Sequence, residues 1–313
     1  MKDAFIHALK QCSLAELQSI PKSDIHNHAG RGGSMAYIGQ WAGTAIKPPT
    51  RPFDSLRDMQ EWFVQHIKVH CPGLSGYLKR IEASFVQARQ DRIEVLSLSF
   101  GIDEVDSLGS MERFMETMNE LHQHFAPYTR FYPELAFDHA GNIGDILGRL
   151  DELLSYGWFK SVDICNNEHA QAITNFKPVY RRAQSYGVKL RAHVGEFGTA
   201  EDVMEAVEEL GLQEVHHGIA AATSPQIMNW LADHRIVLHV CPTSNVLLKV
   251  ADSYSRHPIR SLFDHDVPVT INTDDLLIFN QSVSEEYMNL HKSGLMTPEE
   301  LNVIRETGLN NYN

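Results

Sequence analysis

Asp24–Gly33 reads DIHNHAGRGG. It closes a short apolar segment, Lys22–Ala29, that has the composition of a strand, and it sets two histidines one residue apart where that strand ends. Side chains at i and i+2 of a strand share a face, so His26 and His28 point together. One His-x-His pair is weak evidence, because histidines also sit hydrogen-bonded in cores or free on surfaces. Its meaning rests on what the other strand ends carry.

Working outward, the chain alternates β-branched runs with amphipathic helical runs. Seven further candidate strands follow the first: 93–100, 130–138, 159–167, 189–196, 214–219, 236–245 and 267–275. Helices between them have recognisable starts, as in TSPQIMNWLADH, where Ser224 caps and Pro225 takes the first helical position. In SRHPIRSLFDHD, Ile259, Leu262 and Phe263 share one face. Strand and helix alternating eight times predicts an α/β fold, a (β/α)8 barrel of the TIM type. Neither G-x-G-x-x-G nor G-x-x-x-x-G-K-[ST] occurs to mark the nucleotide turn of an open doubly wound sheet, and GRGGS lacks the lysine and the spacing. No repeat or linker divides residues 1–313, so one domain is expected. The first connection, residues 31–92, is far longer than one crossover helix needs. It holds the loop KPPTRPF and a helix with Leu56, Met59, Phe63 and Ile67 in register, which predicts a helical lid insertion over the barrel mouth.

With 313 residues and 43% hydrophobic content the chain can bury a barrel core, for which roughly 250 residues suffice. A net charge of −13 argues against nucleic acid or an anionic membrane as partner, leaving a small-molecule substrate. The amino-terminal 20 residues are helical in pattern without a secretory signature, and no apolar run approaches a membrane span, so a cytoplasmic location is expected. Cys12, Cys71, Cys165 and Cys241 form no C-x-x-C pair and read as reduced thiols. Composition leaves the oligomeric state open. The 17 histidines are the anomaly.

Barrel enzymes assemble their sites at the C-terminal ends of the strands. Here those ends read DIHNHA, LRAHVGE, EVHHG, HVCPTSN and VTINTDD. Polar, ligand-capable groups at one end of five strands have no reason to converge unless they share a site. His26, His28, His193 and Asp274 then form a candidate set of three imidazoles and a carboxylate for one zinc, or another first-row divalent ion, with five-coordination and a weak or shared bond to Asp274. Glu196, three residues after His193, is a carboxyl near the metal and free for proton transfer. His216 alternates away from His217 and reads as a packing or surface residue. Arg31 lies on the loop bordering the mouth, where it is expected either to meet an anionic group of the substrate or to pair with a protein acid such as one from the long insertion. Gly30, Gly32 and Gly33 would let backbone approach a ligand there.

The series DIHNH, HVGE, VHHG, CPTSN and VTINTDDLLIF, in this order and at these strand ends, resembles the adenosine deaminase family of metal-dependent amidohydrolases. The likeness spans Asp24 to the C-terminal helices and implies an eight-stranded α/β barrel with zinc on His26, His28, His193 and Asp274. It implies that Glu196 protonates purine nitrogen 1, that His217 holds and deprotonates the attacking water, and that Asp275 orients water or accepts a hydrogen bond at nitrogen 7. The chemistry agrees: replacing an exocyclic amine by oxygen needs an activated water, which a metal supplies, and an acid on the ring.

Four places depart from the family pattern. AGRGG replaces the Leu-Asp-Gly type sequence that helps hold a sugar, and Asn166 stands where a glycine usually approaches the base. LSLSF lacks an arginine, and Leu276 replaces a proline. Arg31, Asn166 and Asp275 are thus the candidate substrate contacts. The substrate stays open among adenosine, adenine, an N6-substituted adenine, a nucleotide and another aminated heterocycle, with adenosine not expected to be the best. The alternatives in other classes are a metal hydrolase cleaving an amide or phosphoester on the same barrel, and a non-catalytic metal-binding barrel.

Overall fold

Parallel pairing joins all nine strands of the computed structural model, which describes residues 1–312. β1 (Lys22–Asp24), β2 (Ile93–Gly101), β3 (Arg130–Asp138), β4 (Ser161–Cys165) and β5 (Lys189–Leu190) form one sheet in sequence order; β6 (His193–Val194), β7 (Glu214–His217), β8 (Val237–Val240) and β9 (Val269–Ile271) form the other. β5 and β6 are two halves of one barrel strand. Between them the Arg191 N–H donates to the Val162 carbonyl on one side, and the Ala192 carbonyl accepts from the His216 N–H on the other, 2.9 Å each. The opposite seam closes where the Asp274 N–H donates to the His26 carbonyl at 2.9 Å and the His28 N–H to the Asp274 carbonyl at 3.4 Å. Eight parallel strands thus run in a ring, as the alternating sequence predicts.

Several strands stop short of their sequence-predicted ends. β8 gives way at Pro242, which begins a helix, Pro242–Leu247, so Asn245 is helical instead of the end of a strand. β7 ends at His217, because Gly218 turns to φ 67° and a 3-10 helix follows. Beyond β1 the chain keeps only isolated bridges at Asn27 and His28, and the Ile25 N–H is held by Asn272 Oδ1 at 2.9 Å. The reason is common to all three: at this end of the barrel side chains must converge on one point, which an uninterrupted ladder forbids.

Helices follow the strands. α1 (Lys2–Lys10) and α2 (Leu14–Gln18) precede the barrel, while α3 (Met35–Ala42), α4 (Leu56–His66) and α5 (Gly73–Gln90) lie between β1 and β2. Their starts follow capping chemistry: the Ser55 hydroxyl accepts from Asp58 N–H at the head of α4, and Ser224 does so from Ile227 N–H at the head of Pro225–Asp233. Around α3 and α4 a second apolar cluster, including Met35, Ile38, Met59 and Phe63, joins Leu277, Ile278 and Phe279, the turn that follows Asp275. This cluster seats the insertion over the mouth. Among the described residues no helix is long and apolar enough to cross a membrane, and all four cysteines are free.

The barrel interior below the mouth is polar. Arg191, buried, donates at 2.6 Å to Glu134 Oε2 and at 2.6 Å to Glu214 Oε2. His216 Nε2 lies 3.0 Å from Glu134 Oε1, and its Nδ1 is 3.1 Å from His239 Nδ1. Such a network is stable only while every member is present, since losing one strands a charge in low dielectric. It forms the floor on which the mouth residues rest.

Candidate active site

Four strand ends leave the extended region together: Asn166 (φ 73°), Gly195 (68°), His217 (61°) and Asp274 (57°). Left-handed backbone is uncommon outside glycine and gathers at functional sites. At β7 it breaks the alternation, so both His216 and His217 face the barrel axis, with ring centroids 4.1 and 4.6 Å from that of His26. His216 is therefore buried floor, neither surface nor turned away.

His26 Nε2 and His193 Nε2 stand 2.9 Å apart. Asp274 Oδ1 is 3.3 Å from His28 Nε2 and 3.9 Å from His26 Nε2. The second nitrogen of each inner ring is engaged behind. His26 Nδ1 faces the His239 carbonyl at 3.2 Å, and His193 Nδ1 is hydrogen-bonded to Asp163 Oδ1 at 3.1 Å. A carbonyl and a carboxylate both accept, so each ring carries its proton on Nδ1 and turns a bare Nε2 lone pair inward. Two bare lone pairs 2.9 Å apart repel unless a cation lies between them. Burial, above all, holds both rings neutral: His193 is pushed down to about 3 and His26 well below its ordinary value. Neutral imidazoles oriented from behind and a carboxylate form the donor set that suits zinc.

Glu196 is brought to this cluster by the turn after β6, with Oε2 3.6 Å from His217 Nε2. Its Oε1 is buried without a hydrogen-bond partner among the described residues. Burial, then the charges of Asp274, Glu168 and Asp275, push its carboxyl well above the carboxylate range. A carboxyl raised in this way holds its proton more tightly than a free one and can give it away. Asp274, one residue cluster away, behaves oppositely. Burial would raise it, but the His28 hydrogen bond and the surrounding imidazoles hold it well below its ordinary value. The two acids are pushed in opposite directions, the division of labour an acid beside a metal ligand needs.

Of the candidate substrate contacts, Arg31 has a protein partner. Its Nη1 donates to Asp275 Oδ2 at 2.8 Å, and its guanidinium lies 4.7 Å from the Phe63 ring centroid. The acid comes from the site itself and not from the insertion. Asn166 donates to Asp138 Oδ2 at 2.7 Å and accepts from Gln60 of α4 at 3.4 Å; its left-handed φ is one that asparagine tolerates in place of glycine. The loop glycines serve packing: a Cβ on Gly32 would fall 1.7 Å from Asn27 Oδ1, and one on Gly33 2.4 Å from Ala83 Cβ. At these two positions close approach is to the protein, whereas Gly30 lines the cavity, where a Cβ would make only ordinary contact at 3.6 Å with Tyr77. A cavity of about 190 Å³ remains, walled by His28, Glu196, Asp274 and Asp275 below and by Met59 and Phe63 of α4 above.

Three functional side chains escape sequence reading. Glu168 accepts from the Gly195 and Gly198 N–H groups, 2.7 Å each, and from that of Phe197, gripping the loop that carries Glu196. Nothing in DICNNE announces this, because the three donors are backbone groups distant in sequence. Asp163 orients His193; an acid inside a buried strand was its available signal. Asn245, in CPTSN, donates to His217 Nδ1 at 3.2 Å.

Known proteins share the sequence pattern and the fold of this chain. The family model described as adenosine deaminase matches residues 155–311. A Treponema pallidum (strain Nichols) protein named for adenosine/adenine deamination is 29% identical over 286 residues, 91% of this chain and 96% of that one. Among solved structures, the adenine deaminase of Arthrobacter aurescens superposes with TM-score 0.79 at 19% identity, covering 93% of both chains. A zinc-bound amidohydrolase from Burkholderia ambifaria gives 0.73 at 19%, covering 94% of this chain and 86% of that one. The match of the family model over half of the chain places it in the adenosine deaminase family.

Proposed function

We propose that the chain is a hydrolytic deaminase that replaces the 6-amino group of a purine by oxygen, with one zinc held by His26, His28, His193 and Asp274. The bare Nε2 pair of His26 and His193 and the oriented ligand set support the ion. When bound, it supplies Lewis acidity that lowers the pKa of water toward ~7. The chain's own residues do the rest. Glu196 gives its proton to ring nitrogen 1, which makes carbon 6 electrophilic. Water oxygen bonds to carbon 6 and the carbon–nitrogen bond to the amine breaks. Of the water's two protons, one restores Glu196 and the other leaves on ammonia. His217 and Asp275 border the reacting centre and orient the oxygen and the base.

The carrying observation is the buried Glu196 carboxyl, its Oε1 without a partner among the described residues and its Oε2 3.6 Å from His217 Nε2, raised by burial and by Asp274. An amide or phosphoester hydrolase has less use for a second carboxyl raised by burial and left without a partner. The cavity, about 190 Å³, is smaller than the ~300–1,000 Å³ of pockets for larger ligands. With Arg31 tied to Asp275 and Phe63 of the lid stacked on it, the space suits a purine base, adenine or a small N6-substituted adenine, better than a nucleoside. The position of α3 and α4 over the mouth supports reading them as a lid, and the free thiols and the net charge of −13 fit a cytoplasmic enzyme. Assay of ammonia and amine release from adenine, N6-methyladenine, adenosine, AMP and a pterin tests the reading. Adenine-type bases are expected to turn over fastest; adenosine leading by a wide margin defeats the substrate assignment, and silence across the panel defeats the reaction.

A further inference from the structure

The proton on His217 is placed by a hydrogen-bonded chain that starts at a group able only to donate. The Ile259 backbone N–H, at the head of the helix Ile259–Asp264, donates to His257 Nδ1 at 3.1 Å. His257 is buried, and its desolvation pushes it down to about 3, so it is a neutral ring. With Nδ1 accepting, its proton sits on Nε2, which lies 3.3 Å from Asn245 Oδ1. The amide is thereby oriented, since the opposite flip would set its NH2 against the His257 N–H. Asn245 Nδ2 then donates to His217 Nδ1 at 3.2 Å. Asn245 is fully buried, and the bonds from the Val250 and Ala251 N–H groups to its main-chain carbonyl, 3.0 Å each, fix the backbone from which the amide extends.

We infer that Asn245 and His257 are positioning residues that lock His217 in the tautomer protonated on Nε2, so that His217 meets the incoming oxygen as a hydrogen-bond donor and not as its base. The geometry at the far side agrees. His217 Nε2 points between Glu196 Oε2 at 3.6 Å and Asp274 Oδ2 at 3.8 Å, the space where the oxygen must arrive. For Nε2 to take a proton, the one it holds would have to appear on Nδ1, where the Asn245 N–H already points; two donors would then face each other in a buried site. A fixed donor aimed at an oxygen that gains negative charge stabilises the transition state more than the ground state. The inference rests on the reading of His217 as a residue of the reacting centre, yet the tautomer can be observed without turnover.

The test uses the zinc-loaded protein with 15N-labelled histidine rings, the His217 signals being identified by their loss in His217→Gln. Two-bond proton–nitrogen correlations are expected to show Nε2 protonated and Nδ1 bare; a proton on Nδ1 overturns the inference. Asn245→Asp keeps an acceptor for His257 but offers His217 Nδ1 an acceptor instead of a donor, which should move the proton to Nδ1. With zinc content and KM unchanged, kcat for ammonia release should fall by ~10²–10³, the cost of losing one well-aimed donor. Unchanged or increased kcat in that variant would show His217 working as a base and defeat the donor role. Absence of ammonia release from the wild-type protein, with Nε2 protonated, would instead count against the deaminase reading and leave the lock standing.

Discussion

Arg31 Nη1 stands 2.8 Å from Asp275 Oδ2, tying the loop after β1 to the end of β9 directly across the barrel seam. The Asp275 side chain is only 3% exposed, and its Oδ1 has no partner among the described residues. Arg31 is thus the counter-charge beside an acid that lines the cavity. Arg31→Ala should lower kcat/KM by roughly 10- to 100-fold, short of the ~3–5 kcal/mol for stranding a fully buried charge because part of Arg31 meets solvent. Neutral and anionic substrate analogues should lose alike. A loss of ~1.5–3 kcal/mol confined to the anionic analogue would mean that Arg31 binds substrate charge directly.

Glu196→Gln preserves shape and removes the transferable proton. Zinc content should stay at one per chain while kcat falls by ~10²–10⁴, the range for lost general catalysis. Turnover at the wild-type rate on the best purine would exclude Glu196 from the proton path. Glu168→Gln gives a graded companion, because a neutral amide still accepts from the loop N–H groups; its loss should be smaller than that of Glu196→Gln.

His28→Ala and Asp274→Ala each delete a direct donor, so bound zinc measured by elemental analysis should drop well below one per chain, and activity with it. The barrel should still unfold cooperatively. Metal affinity should also fall with pH. Burial would lower His28, but the Asp274 hydrogen bond and the charges of Asp275 and Asp274 raise it to about 9. The ion must displace that proton, so each unit of acidification below about 9 weakens binding by up to ~10-fold. An affinity flat between pH 6 and 8 would falsify the placement of His28 among the ligands.

What sequence could disclose here followed from periodicity and from coincidence of position. The strand-to-helix alternation was legible because parallel strands buried on both faces read as apolar runs, and β3, Arg130–Asp138, has the predicted bounds. His26, His28, His193, Glu196 and Asp274 could be grouped because they fall at corresponding strand ends. Hidden were the features that depend on departures from regular backbone. Alternation assigns His216 and His217 to opposite faces, and a φ of 61° at His217 cancels it. The Glu168 grip uses backbone donors, which no side-chain pattern encodes. Arg31 could be placed at the mouth, but its choice of Asp275 over a ligand depends on how the barrel closes between β1 and β9.

Glu286, on the helix Val283–Lys292, is fully buried beneath the site, and both its oxygens lie 3.2 Å from the Thr243 N–H at the head of the helix that carries Asn245. Burial raises it, the Thr243 hydrogen bonds oppose, and the charges of Glu285 and Asp24 add to the rise, leaving it at about 8. The folded protein therefore binds this proton more tightly than the unfolded chain, whose glutamate has its ordinary value near 4.5. Its contribution to stability is fully present below that ordinary value and is lost as pH rises toward about 8. Glu286→Gln keeps an acceptor for the Thr243 N–H and never has to be ionised. Its melting temperature relative to wild type should climb steadily from pH 5 to pH 8, with the variant the more stable at the upper end. A difference that stays constant over that range would show that Glu286 is ionised throughout and that its charge is met by a partner other than Thr243.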